Sequence, residues 1–112
     1  MTKKQDQVLS QLRQVLGEGA LLTEESSKEP WGCDWTQGFE SNPLAVVFPK
    51  TTQEVAQVLK ICHQENYPVV PNGGRTGLAA GAYACDQEVV ISLDKMHKIG
   101  KIDPVSMSVE VE

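Results

Sequence analysis

The sequence predicts an α+β fold, with a small parallel or mixed sheet and flanking helices. Two observations predict it. An apolar run at residues 44–48, a helical pattern after Thr51 and a β-branched run at residues 69–70 follow one another, which is the order of a βαβ unit. The last part of the chain instead has short alternating runs separated by turn residues, as in antiparallel strands.

The first predicted element is an amphipathic helix over residues 3–16. Thr2 and Gln5 have the spacing of a capping box, and Gly17 or Gly19 supplies the stop. The apolar positions recur at helical spacing and are expected to be buried: Val8, Leu9, Leu12, Val15 and Leu16. The apolar run at residues 20–22 is consistent with a short strand.

Residues 23–43 have no clear periodicity, so we expect an irregular segment that is either functional or folded over another surface. Its most distinctive cluster runs from Trp31 to Trp35. A tryptophan pair of this kind covers the edge of a core more often than it binds a ligand, although Asp34 is a candidate ligand. We therefore expect residues 1–43 to form an N-terminal helix and irregular lead-in, and residues 44–112 to form the main domain.

The second predicted helix follows a capping box formed by Thr51 and Glu54 and ends at Glu65 or Asn66. We expect it to bury one apolar face: Val55, Val58, Leu59 and Cys62. Further strands are predicted at residues 89–92, 99–102 and 107–111, with a turn or short helix at 94–97. Alternation in the last strand predicts a buried face formed by Met107, Val109 and Val111.

Size and charge exclude several functions. The chain has 112 residues, 40% hydrophobic residues and a formal net charge of −5, which describes one small globular domain and argues against nucleic-acid binding. Its three cysteines have no metal-ligand spacing, and we expect them to be reduced. His63 and His97 are isolated. Without an apolar run of membrane length or a signal peptide, the expected location is the cytoplasm.

The segment from Pro68 to Ala82 is the strongest functional feature. Its glycines at 73, 74, 77 and 81 flank Arg75 and Thr76, and they permit a tight backbone with amides turned towards an anion. A dinucleotide-binding helix does not follow, and the lysine of a Walker loop is missing. A phosphate cradle between two strands is the favoured interpretation, and a ligand-free surface loop is the alternative.

Three stretches resemble the N-terminal part of the FAD-linked oxidases that have a PCMH-type (vanillyl-alcohol oxidase-like) FAD-binding domain: residues 44–55, residues 69–81, and residues 91–96 with 102–104. The resemblance implies the first subdomain of that fold in residues 44–112. By position, it implies that the loop binds the FAD pyrophosphate through Pro71, Asn72, Gly73, Gly74, Arg75, Thr76, Gly77, Leu78 and Gly81. Some members have a flavin-linking histidine where this chain has Arg75, so the resemblance implies noncovalent FAD.

Within that family the resemblance is to 2-hydroxy-acid dehydrogenases for D-lactate, glycolate and D-2-hydroxyglutarate, which transfer hydride from the substrate to FAD. No catalytic residue is identified here. We expect the chain to be the front part of a longer enzyme that also has a hydroxy-acid substrate and an electron acceptor, and to be inactive alone. The alternatives are an aldonolactone oxidase, an alcohol oxidase or a cell-wall precursor reductase of the same fold, or an α/β interaction module without catalysis.

Overall fold

The computed structural model describes all 112 residues, and it has a four-stranded mixed sheet, helices and a separate two-stranded ribbon. The α-helices are α1 (Lys3–Leu16), α2 (Glu25–Lys28) and α3 (Thr52–Gln64). The strands are β1 (Leu21–Leu22), β2 (Ala45–Val47), β3 (Val69–Asn72), β4 (Val89–Ser92), β5 (Ile99–Asp103) and β6 (Ser108–Val111). The α+β class and the mixed sheet with flanking helices are confirmed.

The sheet has the order β1-β2-β4-β3. β2, β4 and β3 are parallel, while β1 is antiparallel to β2, with Leu21 opposite Val47. The predicted strand–helix–strand unit exists as β2–α3–β3, but its two strands are not neighbours because β4 lies between them. The reason is burial: all four residues of β4 are buried, and such a strand is stable where both of its edges are paired.

The core lies mainly on the face of the sheet that α1 and α3 cover. Its cluster contains Val8, Leu9 and Leu12 from α1, Val58, Ile61 and Cys62 from α3, and Leu44, Ala45, Val47, Val89 and Ile91 from the sheet region. A smaller cluster on the other side contains Val46, Ala84 and Val90, with Trp31 and Phe48 packed against it. Val89 and Ile91 therefore serve one cluster and Val90 the other, as strand alternation requires.

The predicted face of α3 needs a correction. Val58 and Cys62 are buried as expected, but Ile61 is buried with them, Val55 is only partly buried and Leu59 is 44% exposed. Positions 58, 61 and 62 form the i, i+3, i+4 stripe that faces α1 and the sheet, and the next residue after Val58 lies outside it. On α1, Val15 similarly remains 39% exposed.

The two predicted helix starts differ in detail. Thr2 and Gln5 form the predicted reciprocal capping box at α1. At α3, the Thr51 hydroxyl accepts a hydrogen bond from the Glu54 amide, but the Glu54 carboxylate accepts from the amide of Lys50, one residue earlier than a capping box requires. The helix starts are thus both capped, and the second is capped by a variant of the predicted arrangement.

Residues 23–43 are more ordered than the sequence predicts. After α2 comes a 3₁₀ turn, Glu29–Gly32. Lys28 is only 3% exposed and donates hydrogen bonds to the Glu25 carboxylate and to the carbonyl oxygen of Leu44. The Lys28–Leu44 hydrogen bond attaches the segment to the start of β2. The segment is therefore ordered by contacts with residues distant in sequence, which helical periodicity does not reveal.

The hairpin β5–β6 is antiparallel, as predicted, but the expected buried face is wrong. Met107, Val109 and Val111 are 90%, 45% and 62% exposed. Alternation identifies residues that share a face, but burial requires a second layer against that face, and no element of the chain packs there.

All three cysteines are free thiols, and only Cys62 is buried. Burial raises the pKa of the Cys62 thiol to about 11, so the reactive thiolate is rare at neutral pH. We expect iodoacetamide at pH 8 to alkylate the exposed Cys85 and to leave Cys62 unmodified in the folded chain. Peptide mass mapping measures this, with the chain in urea as the control in which Cys62 reacts. Equal modification of both residues in the folded chain would contradict the buried position.

Candidate functional site

The Gly-rich loop leaves the carboxyl end of β3, at the edge of the sheet where the other two parallel strands also end. This is the edge at which open α/β sheets bind ligands. All nine predicted cofactor-binding residues belong to β3 or to this loop. Most of them are exposed, but Asn72 is fully buried and Arg75 is partly buried.

The backbone amides of the loop are free. None of the ten N–H groups of residues 73–82 donates a hydrogen bond within the chain. Backbone N–H groups in folded proteins are almost always paired with protein, water or ligand. A continuous run of unpaired, mostly exposed amides is therefore a surface that can bind anionic oxygens.

The loop glycines are not needed for positive φ. None of the four loop glycines has a positive φ, whereas Arg75 (57°) and Ala80 (61°) do. A Cβ added at Gly73, Gly74 or Gly81 would have no atom of the chain within 4 Å. Since nothing inside the chain requires glycine at these positions, their use is to leave the amides open to close approach from outside.

Arg75 is held over the start of the loop by several contacts. Its guanidinium carbon lies 4.2 Å from the centre of the Trp31 ring, a cation–π contact. One of its nitrogens, Nη1, donates to Oδ1 of Asn72 (3.2 Å) and to the carbonyl of Gly73 (3.4 Å), and lies 3.5 Å from the Asp94 carboxylate. The guanidinium therefore carries its positive charge beside the amides of the glycine pair.

Asn72 links the loop to the lead-in segment. Its Nδ2 donates to the carbonyl oxygen of Trp31 at 2.6 Å, while its Oδ1 accepts from Arg75. Both polar groups of the side chain are thus used inside the protein. The Asn72 side chain supports the cradle, and any contact it makes with a cofactor would go through its backbone.

The structure also brings Asp34 to the loop. The Trp35 amide donates to the carbonyl of Gly77 at 3.1 Å, and the Asp34 carboxylate lies behind Gly77. Burial opposes ionisation of Asp34, but the hydroxyl and amide of Thr36, which donate hydrogen bonds to it, and the nearby Ala80 amide hold the pKa of the carboxyl below its usual value. Asp34 is therefore ionised at neutral pH.

Sequence reasoning did not identify two residues of this site, Trp31 and Asp94, as contacts of Arg75. Asp94 could have been found, because it follows β4 at the same edge of the sheet at which the loop follows β3. For Trp31 the sequence has no such signal, since it contacts the loop from a 3₁₀ turn about 40 residues earlier.

Basic side chains lie at the same edge. Lys50 follows β2, and Lys95 and Lys98 follow β4; with His97 they line an open cleft of about 730 Å³. His63 is exposed on α3 and lies outside this cleft.

No group of three or more His, Cys, Asp or Glu side chains has the arrangement of a metal site, and no helix has both the length and the apolar character needed to cross a bilayer.

Comparison with known proteins identifies relatives of this arrangement. The profile of the family described as "FAD binding domain" matches residues 43–112. D-2-hydroxyglutarate dehydrogenase of Stutzerimonas stutzeri (strain A1501) is 38% identical over 92 residues, which cover 82% of this chain and 20% of the relative. Glycolate oxidase subunit GlcD of Escherichia coli (strain K12) is 31% identical over 105 residues, covering 94% of this chain and 21% of the relative.

Solved structures share the fold. p-Cresol methylhydroxylase with substrate bound matches with a TM-score of 0.79 and 27% identity over 93% of this chain and 21% of that chain. Alkyldihydroxyacetonephosphate synthase matches with the same TM-score at 16% identity, which supports the fold alone. The chain thus spans about one fifth of the length of the relatives that it matches.

Proposed function

The chain belongs to the FAD-binding domain family, and from this premise we propose that it forms the first part of the FAD-binding unit of a longer dehydrogenase acting on 2-hydroxy acids. The substrate class follows the relatives, which are dehydrogenases of D-2-hydroxyglutarate and a subunit of glycolate oxidase. The activity, the electron acceptor and the cytoplasmic location are part of the proposal, as is the division at residue 43.

The observation that carries the proposal is the run of amides at residues 73–76, on both sides of Arg75, which donate no hydrogen bond within the chain. A pyrophosphate offers several anionic oxygens, and hydrogen bonds to charged groups contribute about 1.5–3 kcal/mol each. Three or four such bonds can hold the cofactor even though the chain has a net charge of −5. The pyrophosphate is then attracted by the loop amides and by Arg75, because the net negative charge of the chain does not attract it.

The residues present fit FAD. Gly73 and Gly74 leave space in front of their amides, and Arg75 adds a positive charge that Trp31 and Asn72 hold in place. The cofactor-binding roles of all nine residues remain predictions. We infer noncovalent binding, since the residue after the glycine pair is an arginine, which has no nucleophilic ring nitrogen with which to attach a flavin. Precipitation of the loaded protein with acid should leave all the flavin in the supernatant.

Bound FAD would supply the hydride acceptor for oxidation of the substrate carbon that bears the hydroxyl. The residues of this chain bind and orient it. The loop holds no histidine or other base. Of the carboxylates beside it, Asp94 pairs with Arg75 and Asp34 is buried. A base and the groups that bind a substrate carboxylate would come from elsewhere in the longer enzyme.

The first test is a titration of FAD onto the purified 112-residue chain, followed by flavin fluorescence, together with a dye-reduction assay using D-2-hydroxyglutarate, D-lactate or glycolate. We expect the chain to reduce no dye with any of these acids, and the full-length enzyme to reduce it with at least one. Steady dye reduction by the chain alone would contradict the proposal that the base and the substrate-binding groups lie elsewhere in the longer enzyme. A full-length protein that binds no FAD would overturn the proposed function.

A different oxidase substrate is the second candidate, because a structure of p-cresol methylhydroxylase shares 27% identity and the fold. Adding p-cresol to the substrate panel separates the two: turnover of the phenol without turnover of hydroxy acids favours this candidate. FAD binding without turnover of any substrate would favour a non-catalytic module.

A further inference from the structure

Asp34 is a buried carboxylate for which neither the fold nor the proposed cofactor binding accounts fully. It is 6% exposed and lies in the lead-in segment, two residues after the 3₁₀ turn that carries Trp31. Its two oxygens differ. Oδ1 accepts hydrogen bonds from the amide and the hydroxyl of Thr36. Oδ2 is buried and has no hydrogen-bond partner.

The unpartnered oxygen faces the Gly-rich loop. A Cβ added at Gly77 would lie 3.7 Å from Oδ2, which is the one atom within 4 Å outside the adjacent residues. The Trp35 amide donates to the Gly77 carbonyl. A buried ionised carboxylate is costly unless donors surround it. The available donors here are the unpaired amides of the loop, among which that of Ala80 is near enough to favour the ionised form of Asp34.

Ala80 supports the same conclusion. It has a φ of 61°, which is a costly conformation for a residue with a side chain and requires local contacts to hold it. Its carbonyl accepts from the Tyr83 amide at 3.3 Å, which secures one side of the turn. Its N–H group is near enough to the Asp34 carboxylate to favour the ionised form.

We propose that Asp34 is a positioning residue of the loop: the amides of residues 77–80, which are unpaired in this structure, turn in solution to donate hydrogen bonds to its unpartnered Oδ2, and these bonds order the second half of the loop. The first half, residues 73–76, is left with its amides open to the anion. The proposal concerns the chain itself; only its flavin readout rests on the proposed function.

The test is amide hydrogen exchange measured by NMR on the ¹⁵N-labelled chain, without flavin. In the wild type we expect at least one amide of residues 77–80 to exchange roughly tenfold or more slowly than those of residues 73–76, and to resonate downfield, as charge-assisted hydrogen bonds do. Asp34→Asn keeps the shape of the side chain. When its carbonyl oxygen accepts from Thr36, an NH2 group takes the place of Oδ2 and faces the loop, where it cannot accept a hydrogen bond. We expect it to abolish both signatures.

Asp103→Asn is the matched control. The Asp103 carboxylate also accepts from two following backbone amides, Val105 and Ser106. The Ser106 hydroxyl and these two amides lower the pKa of its carboxyl, but it lies in the exposed β5–β6 turn. This substitution should leave exchange at residues 77–80 unchanged. Protection of Val90, in the central strand, shows in each variant whether the whole fold persists.

Two results would overturn the proposal. One is wild-type exchange at residues 77–80 as fast as at 73–76, a comparison that needs no variant and so holds even if Asp34→Asn fails to fold. The other is a folded Asp34→Asn chain whose loop exchange and amide shifts match the wild type. In the full-length protein, we expect Asp34→Asn to weaken FAD binding about tenfold. If the wild type binds no FAD, the proposed function fails while the exchange result still decides the role of Asp34.

Discussion

Replacing Gly74 by valine is expected to weaken FAD binding to the full-length protein by at least about a hundredfold. A valine side chain would stand in the open space before the loop amides and keep the pyrophosphate from two or more of them, at about 1.5–3 kcal/mol for each lost bond. Folding should change little, because Gly74 has no positive φ and an added Cβ meets no atom of the chain. Fluorescence titration measures the affinity, and urea unfolding measures the stability.

Gly38→Val is the control for this experiment. Gly38 is likewise exposed, without positive φ and without neighbours within 4 Å of an added Cβ, but it lies in the lead-in segment. Its substitution should change neither affinity nor stability by more than about 0.5 kcal/mol. If Gly74→Val binds FAD as tightly as the wild type, the assignment of the loop as the cradle is wrong.

Local sequence patterns were sufficient for most of the elements. Helical spacing located α1 and α3, and β-branched runs located β2, β3 and β4, because these signals depend on residues near one another in the chain. The glycines of the loop predicted a phosphate cradle, and in the structure they leave open space in front of the amides, while positive φ is found at Arg75 and Ala80.

Contacts between distant segments could not be derived in this way. The position of β4 between β2 and β3 depends on which strand buries both faces best, a comparison over the whole chain. The approach of Asp34 to Gly77 joins residues 43 positions apart, and no periodicity connects them. In β6 the local pattern was present but burial did not follow. Alternation predicts a buried face only if a second layer packs against it, and here that face is exposed.

The start of the Gly-rich loop is fixed by the side chain of Asn72. Asn72 is fully buried where β3 ends, and it joins the Trp31 carbonyl on one side to Arg75 on the other. Through these bonds the 3₁₀ turn of the lead-in segment holds the residue at which the loop begins. This arrangement makes the start of the loop depend on an irregular segment that lies outside the sheet.

Asn72→Leu tests this support, and we expect it to destabilise the chain by about 1–3 kcal/mol. Leucine is similar in size but leaves the Trp31 carbonyl without its donor and Arg75 without one of its acceptors. Urea unfolding measures the loss. Gln53→Leu on the exposed surface of α3 is the control and should stay within about 0.5 kcal/mol of the wild type. In the full-length protein, FAD affinity should fall as well, because Arg75 is freed to leave the loop. A variant with unchanged stability and affinity would show that the loop does not depend on Asn72.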